Sequence, residues 1–142
     1  MSEIAYIALG SNLGDRRAYL DRARTAIAAI PECRVVAASQ VEETAPLGGL
    51  AQPPYLNQMI AVETTLEPVV LLERLQEIEH AAGRVRGGQW DSRTLDLDIV
   101  LFDDRTVNTA ELLVPHPGLA HRPFWQRELA ELRSAHSKSR DE

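Results

Sequence analysis

The chain has 142 residues and a mass of 15.8 kDa, enough for one domain that buries roughly two-thirds of its unfolded surface. Hydrophobic residues at 44% and charged residues at 25% exclude global disorder. A formal charge of -6 leaves no basic excess to neutralise nucleic-acid phosphates, and the single cysteine, Cys33, excludes an intrachain disulfide and a cysteine-based zinc site.

The N-terminus M-S-E-I-A-Y lacks a basic segment followed by a long apolar run, and no stretch reaches the roughly 18 apolar residues needed to cross a bilayer. A cytoplasmic protein with neither nucleic-acid nor membrane partners is the simplest expectation. Residues 3 to 10, E-I-A-Y-I-A-L-G, form a short apolar run ending in glycine and predict a first strand. From Asp15 the period becomes helical, with Leu20, Ala23, Ile27 and Ile30 on one side and Pro31 as the stop.

Residues 33 to 43 have the β-branched character of a second strand, followed by the Pro/Gly-rich loop from Ala45 to Pro54. Tyr55 to Leu66 predicts a third strand. Pro68 suits the first turn of a second helix with Leu71, Leu75, Ile78 and Ala82 on its apolar side and Gly83 at its end. The run R-T-L-D-L-D-I-V-L-F, residues 93 to 102, predicts a fourth strand. A hairpin through Asp103, Asp104 and Arg105 and a short helix from about Gly118 to Leu132 follow it. One domain over 1–132 and a polar, frayed tail over 133–142 are expected.

The order is β-α-β-β-α-β with a C-terminal hairpin and helix added. It predicts an α+β fold of ferredoxin-like type, an antiparallel sheet with helices packed on it. That architecture hosts many activities, so function has to be read from side chains.

Asp96 and Asp98 carry the sharpest signal. Residues two apart in a strand share a face, so the two carboxylates repel unless a cation sits between them or one is protonated. An oxygen-only pair suits magnesium, which takes one or two carboxylates together with phosphates and water. A plain solvent-exposed sheet edge explains the same pattern. Arg84, Arg86 and Arg93 precede the pair, interleaved with Gly87, Gly88 and Trp90. Cations beside a metal-binding carboxylate pair are what phosphoryl transfer requires, and solvated surface arginines are the alternative.

The segment V-P-H-P-G-L-A-H-R-P-F holds His116, His121, Arg122 and Phe124. No third ligand has the spacing for a transition metal, so His116 and Arg122 read as phosphate contacts or as ordinary surface groups. G-S-N-L-G-D, residues 10 to 15, lacks the ending of a P-loop and reads equally as a turn with Asp15 or Asn12 capping the first helix. In P-Y-L-N-Q-M, Tyr55 suits stacking on a flat ring and Asn57 suits reading the ring's edge, with core packing and a turn as the alternatives.

Together these segments resemble the 6-hydroxymethyl-7,8-dihydropterin pyrophosphokinases of folate biosynthesis. The matching stretches are Y-I-A-L-G-S-N-L-G-D, T-A-P-L-G, P-Y-L-N-Q, Q-E-I-E-H-A-A-G-R-V-R, W-D-S-R-T-L-D-L-D-I-V-L-F and V-P-H-P-G-L-A-H-R-P-F, in the family's order over residues 5 to 124. The resemblance implies transfer of the β,γ-diphosphate of ATP to the hydroxymethyl oxygen of a reduced pterin; a monomer is expected. ATP is then the co-substrate, and Asp96 and Asp98 hold two magnesium ions. It further implies Arg84 and Arg93 as catalytic residues on the transferred phosphates, with Arg86 and Trp90 on the loop over the site. Gln76, Glu79, Ile99, His116 and Arg122 fall at nucleotide-side positions. Thr44, Ala45, Leu47, Tyr55, Asn57 and Phe124 fall at pterin-side positions, which Trp90 and Asp96 border. A phosphohydrolase using the same carboxylates, and a catalytically weak binding module, are the competing readings.

Overall fold

The computed structural model describes residues 2–45, 54–83 and 95–141, with side chains as far as Ser134. Strand β1 (Glu3–Ser11) leads into helix α1 (Arg16–Ala28), whose N-cap is Asp15: its carboxylate accepts the Ala18 N–H at 3.1 Å. β2 (Cys33–Ala38) and β3 (Glu42–Thr44) occupy the region expected to be one strand. β4 (Tyr55–Thr64) and helix α2 (Pro68–Ala81) follow as expected, and Gly83 leaves α2 at φ +83°, a conformation that favours glycine.

β5 (Asp96–Phe102) is the strand that carries the aspartate pair. The turn through Asp103 and Asp104 exists, with Asp103 at positive φ. It does not fold the chain back onto β5 as a hairpin. Instead β6 (Val107–Asn108) pairs with β7 (Leu113–Val114), and the His116 N–H donates to the Val100 carbonyl at 2.9 Å.

A 3-10 turn (Pro117–His121) separates this small ribbon from helix α3 (Pro123–Asp141). The last helix therefore starts later than Gly118, because Pro117–His121 forms the tighter turn. It also runs past Leu132, since S-A-H-S-K-S-R-D contains no proline or glycine to stop it.

The main sheet is antiparallel in the order β2-β4-β1-β5, and β3 extends the β2 side by pairing with β4. The break between β2 and β3 is held by Ser39, whose Oγ accepts the Met59 N–H at 2.9 Å and whose carbonyl accepts from Gln58 Nε2 at 2.6 Å.

Alternation along the strands divides the core. Ala5, Ile7, Leu9, Ile60 and Val62 face Leu20, Ile27, Leu71 and Leu75 of α1 and α2. Tyr6, Ala8, Met59 and Ala61 face Trp125, Leu129 and Leu132 of α3. A bulge interrupts β5: Ile7 pairs with Ile99 but Tyr6 with Leu101, leaving Val100 extra. Val100 and Leu101 both join the α3 side as a result, while Ile99 and Phe102 both join the other. No helix among the described residues is long and apolar enough to cross a membrane.

Candidate active site

Cross-strand register gathers the expected residues at one end of the sheet. Asp96 lies opposite Gly10 and Asp98 opposite Ala8; Gly10 in turn lies opposite Asn57, and Ala8 opposite Met59. Paired residues share a face, and Ala8 and Met59 belong to the α3 side of the core. Both aspartates and Asn57 therefore project on the face covered by α3. Asp98 is about one-third exposed, and Asp96 is partly exposed.

The ring-binding candidates form one corner of this end. β3 pairs with β4 so that Thr44 lies opposite Tyr55, and buried Asn57 donates from Nδ2 to Thr44 Oγ1 at 2.5 Å. Gly10 leaves the space this requires: a Cβ there would stand 3.3 Å from Asn57 Oδ1 and 3.5 Å from the Tyr55 ring. Ala45 is exposed just beyond β3. Arg16 holds both flanks of the loop between β3 and β4, donating to the Pro54 carbonyl at 2.9 Å and pairing with Glu43 at 3.0 Å. Leu47 lies outside the described residues.

The phosphate-binding candidates form the other corner. His116 Nδ1 accepts the Gly118 N–H at 2.9 Å, so the neutral imidazole carries its proton on Nε2. That nitrogen stands 3.6 Å from Asp98 Oδ1. Trp125 packs edge-on against His116 with ring centroids 4.9 Å apart, and the Arg122 guanidinium carbon lies 4.3 Å from the indole centroid. Phe124 touches the same indole with centroids 6.3 Å apart. Trp125 thus links four of the site's side chains, counting Asp98 through His116. The sequence reading passed over it, although the spacing Arg122-x-x-Trp125 across a helix start brings two such side chains together.

Glu79 behaves differently from a surface nucleotide contact. It is 4% exposed, and its carboxylate accepts the Leu97 N–H at 2.7 Å, fixing the main chain between the two aspartates. Gln76, three residues earlier on α2, is exposed. The Ile99 side chain is buried towards α1 and α2, on the face opposite the aspartates, so it is not turned to the site. Arg84, Arg86, Trp90 and Arg93 lie outside the described residues.

A carboxylate pair thus lies between the corner of Tyr55 and Asn57 and the corner of His116 and Arg122 at one end of the sheet. The comparisons name the family. Residues 6–134 match the model of the 7,8-dihydro-6-hydroxymethylpterin-pyrophosphokinases, and the chain belongs to that family. It is 43% identical over 132 residues to a Bacillus subtilis protein named 2-amino-4-hydroxy-6-hydroxymethyldihydropteridine pyrophosphokinase, covering 93% of this chain and 79% of that one. A Pseudomonas aeruginosa protein of the same name is 42% identical over 132 residues, covering 93% and 82%. The bifunctional protein FolKE of Lactococcus lactis is 34% identical over 130 residues, covering 92% of this chain and 37% of its own length.

Proposed function

We propose that the chain transfers the β,γ-diphosphate of ATP to the hydroxymethyl oxygen of 6-hydroxymethyl-7,8-dihydropterin, releasing AMP, as a step of folate biosynthesis. The observation that carries this reading is the placement of Asp96 and Asp98 between Asn57 on one side and His116 on the other. The family match supports it independently.

In this reading Tyr55 and Phe124 stack on the pterin, and Asn57 orients it by its edge with Thr44 holding the amide in place. His116 donates from Nε2, and Arg122 adds a fixed positive charge to the nucleotide phosphates. Gln76 and the Ile99 main chain border the nucleotide, Glu79 supports that side from behind through the Leu97 main chain, and Arg84 and Arg93, with Arg86 and Trp90 beside them, attend the transferred group. Asp96 and Asp98 fit two magnesium ions as oxygen ligands on one face. Magnesium held by a carboxylate pair commonly completes its coordination with substrate phosphates and water. Magnesium held there by Asp96 and Asp98 would supply positive charge to the triphosphate and acidity to the hydroxyl. What the protein itself contributes is alignment of the attacking oxygen with the β-phosphorus, and charge placed ahead of the reaction.

The same reading takes the core as a ferredoxin-like β-α-β-β-α-β unit, with β2 and β3 counted as one interrupted strand and everything after β5 as an addition; the antiparallel order β2-β4-β1-β5 supports it. It takes the protein as a cytoplasmic monomer, which gel filtration with light scattering tests for the oligomeric state.

The decisive assay mixes the protein with ATP, magnesium and the hydroxymethyl dihydropterin and resolves the products. AMP with diphosphorylated pterin is expected. Phosphate release independent of the pterin identifies a hydrolase, and binding without turnover identifies a binding module; either outcome overturns the proposal.

A further inference from the structure

We propose that Trp125 is a positioning residue for nucleotide binding, acting through Arg122; the inference rests on the functional reading above.

The indole is 4% exposed on the first turn of α3 and belongs to the core cluster of Tyr6, Ala8, Met59, Val100 and Leu101, where close packing restricts its plane. Two polar side chains rest on it. The Arg122 guanidinium carbon lies 4.3 Å from the indole centroid, within cation–π range, and the His116 ring meets it at an interplanar angle of 88°. Gly118 closes the arrangement from outside. A Cβ at that position would stand 3.0 Å from Arg122 Cζ and 3.1 Å from Nε, so the guanidinium occupies space that any other residue would contest. The Gly118 N–H also binds His116 Nδ1. One ring and one glycine therefore set the position of Arg122 and the tautomer and aim of His116 towards Asp98.

Filling the core needs only apolar volume, which leucine supplies. Holding a guanidinium flat needs the negative face of an aromatic ring, which leucine lacks. An arginine held in place before the ligand arrives loses less side-chain freedom on binding a phosphate.

The test is a double-mutant cycle on the full chain, reading the affinity for α,β-methylene-ATP in the presence of magnesium by calorimetry. Trp125→Leu is expected to weaken binding about tenfold and Trp125→Phe, which keeps an aromatic face, by no more than about threefold. In an Arg122→Ala background the loss from Trp125→Leu shrinks to less than about twofold, because the group it positions is gone. A full tenfold loss in that background, or equal losses for leucine and phenylalanine, reduces Trp125 to a core residue and overturns the inference. Where Trp125→Leu does not fold, as judged by circular dichroism, the cycle is run with Trp125→Met, which also lacks an aromatic face: a loss that vanishes in the Arg122→Ala background supports positioning, and an undiminished or absent loss overturns it. Diphosphate transfer by the wild type is assayed in parallel. Its absence beside an intact binding cycle overturns the functional reading and leaves the positioning role standing.

Discussion

The Glu79 carboxylate on α2 accepts the main-chain N–H of Leu97, the residue between Asp96 and Asp98, at 2.7 Å. A helix on one side of the sheet thereby fixes the strand that aims two carboxylates at the other. Replacing Glu79 with alanine leaves the Leu97 N–H without this buried partner, which costs about 2 kcal/mol of stability. Denaturant unfolding measures that loss, and kcat is expected to fall as well, because the aspartates lose their anchor. A variant of wild-type stability and rate shows the bond to be dispensable.

Asp98 separates function from folding. Its side chain is about one-third exposed, and no buried hydrogen bond depends on it in the described structure. Asp98→Ala is expected to lower AMP formation by at least about a hundredfold. Its unfolding free energy should stay within about 1 kcal/mol of the parent. Near-normal turnover in the folded variant removes Asp98 from the metal-binding role.

Gly10 tests the ring-binding corner. An added methyl group would press on Asn57 Oδ1 at 3.3 Å and displace the amide that Thr44 holds. Gly10→Ala is expected to raise the pterin KM about tenfold while the ATP KM changes less than about twofold. Equal changes in both constants place the effect elsewhere.

Glu128 gives a pH signature. It is 2% exposed, and neither carboxylate oxygen has a hydrogen-bond partner among the described residues. Burial above all, then the charges of Glu42 and Glu131 against that of Arg127, raises its pKa from 4.5 to about 8. The folded state therefore holds a proton that the unfolded chain releases. Its stabilising effect is complete below pH 4.5, declines as pH rises, and is lost above about 8. Glu128→Gln keeps the neutral form at every pH. The variant should match the parent at pH 4 and exceed it by about 2 kcal/mol at pH 9, read as a difference between denaturation curves. A constant difference across that range would mean that Glu128 does not titrate in the fold.

Much of this was legible in one dimension. Period and punctuation located β1, α1, β4 and α2 nearly residue by residue, because Asp15, Pro68 and Gly83 act through local backbone chemistry. Nothing in Ser39–Val41 breaks β propensity, so the local pattern predicts one continuous second strand. The interruption is sustained by Ser39 bonding to Met59 on a distant strand. The hairpin expected after β5 fails for a related reason: the turn residues are present, but which strands pair is settled by long-range contacts, here Val107 with Val114 and His116 with Val100.

The sequence by itself determined the chemistry: Asp96 and Asp98 share a face by the period of a strand, and Tyr55, Asn57, His116, Arg122 and Phe124 are the right types for a ring and for phosphates. Only the tertiary structure decided how they meet. The register of β1 against β4 and β5 sets Asn57 and Asp96 on either side of Gly10, and the β5 bulge turns Val100 and Leu101 together beneath Trp125. The physical reason is that side-chain type and local period are properties of neighbouring residues. Register, bulges and the burial of an indole under two polar side chains are fixed by energies summed over segments far apart in the chain.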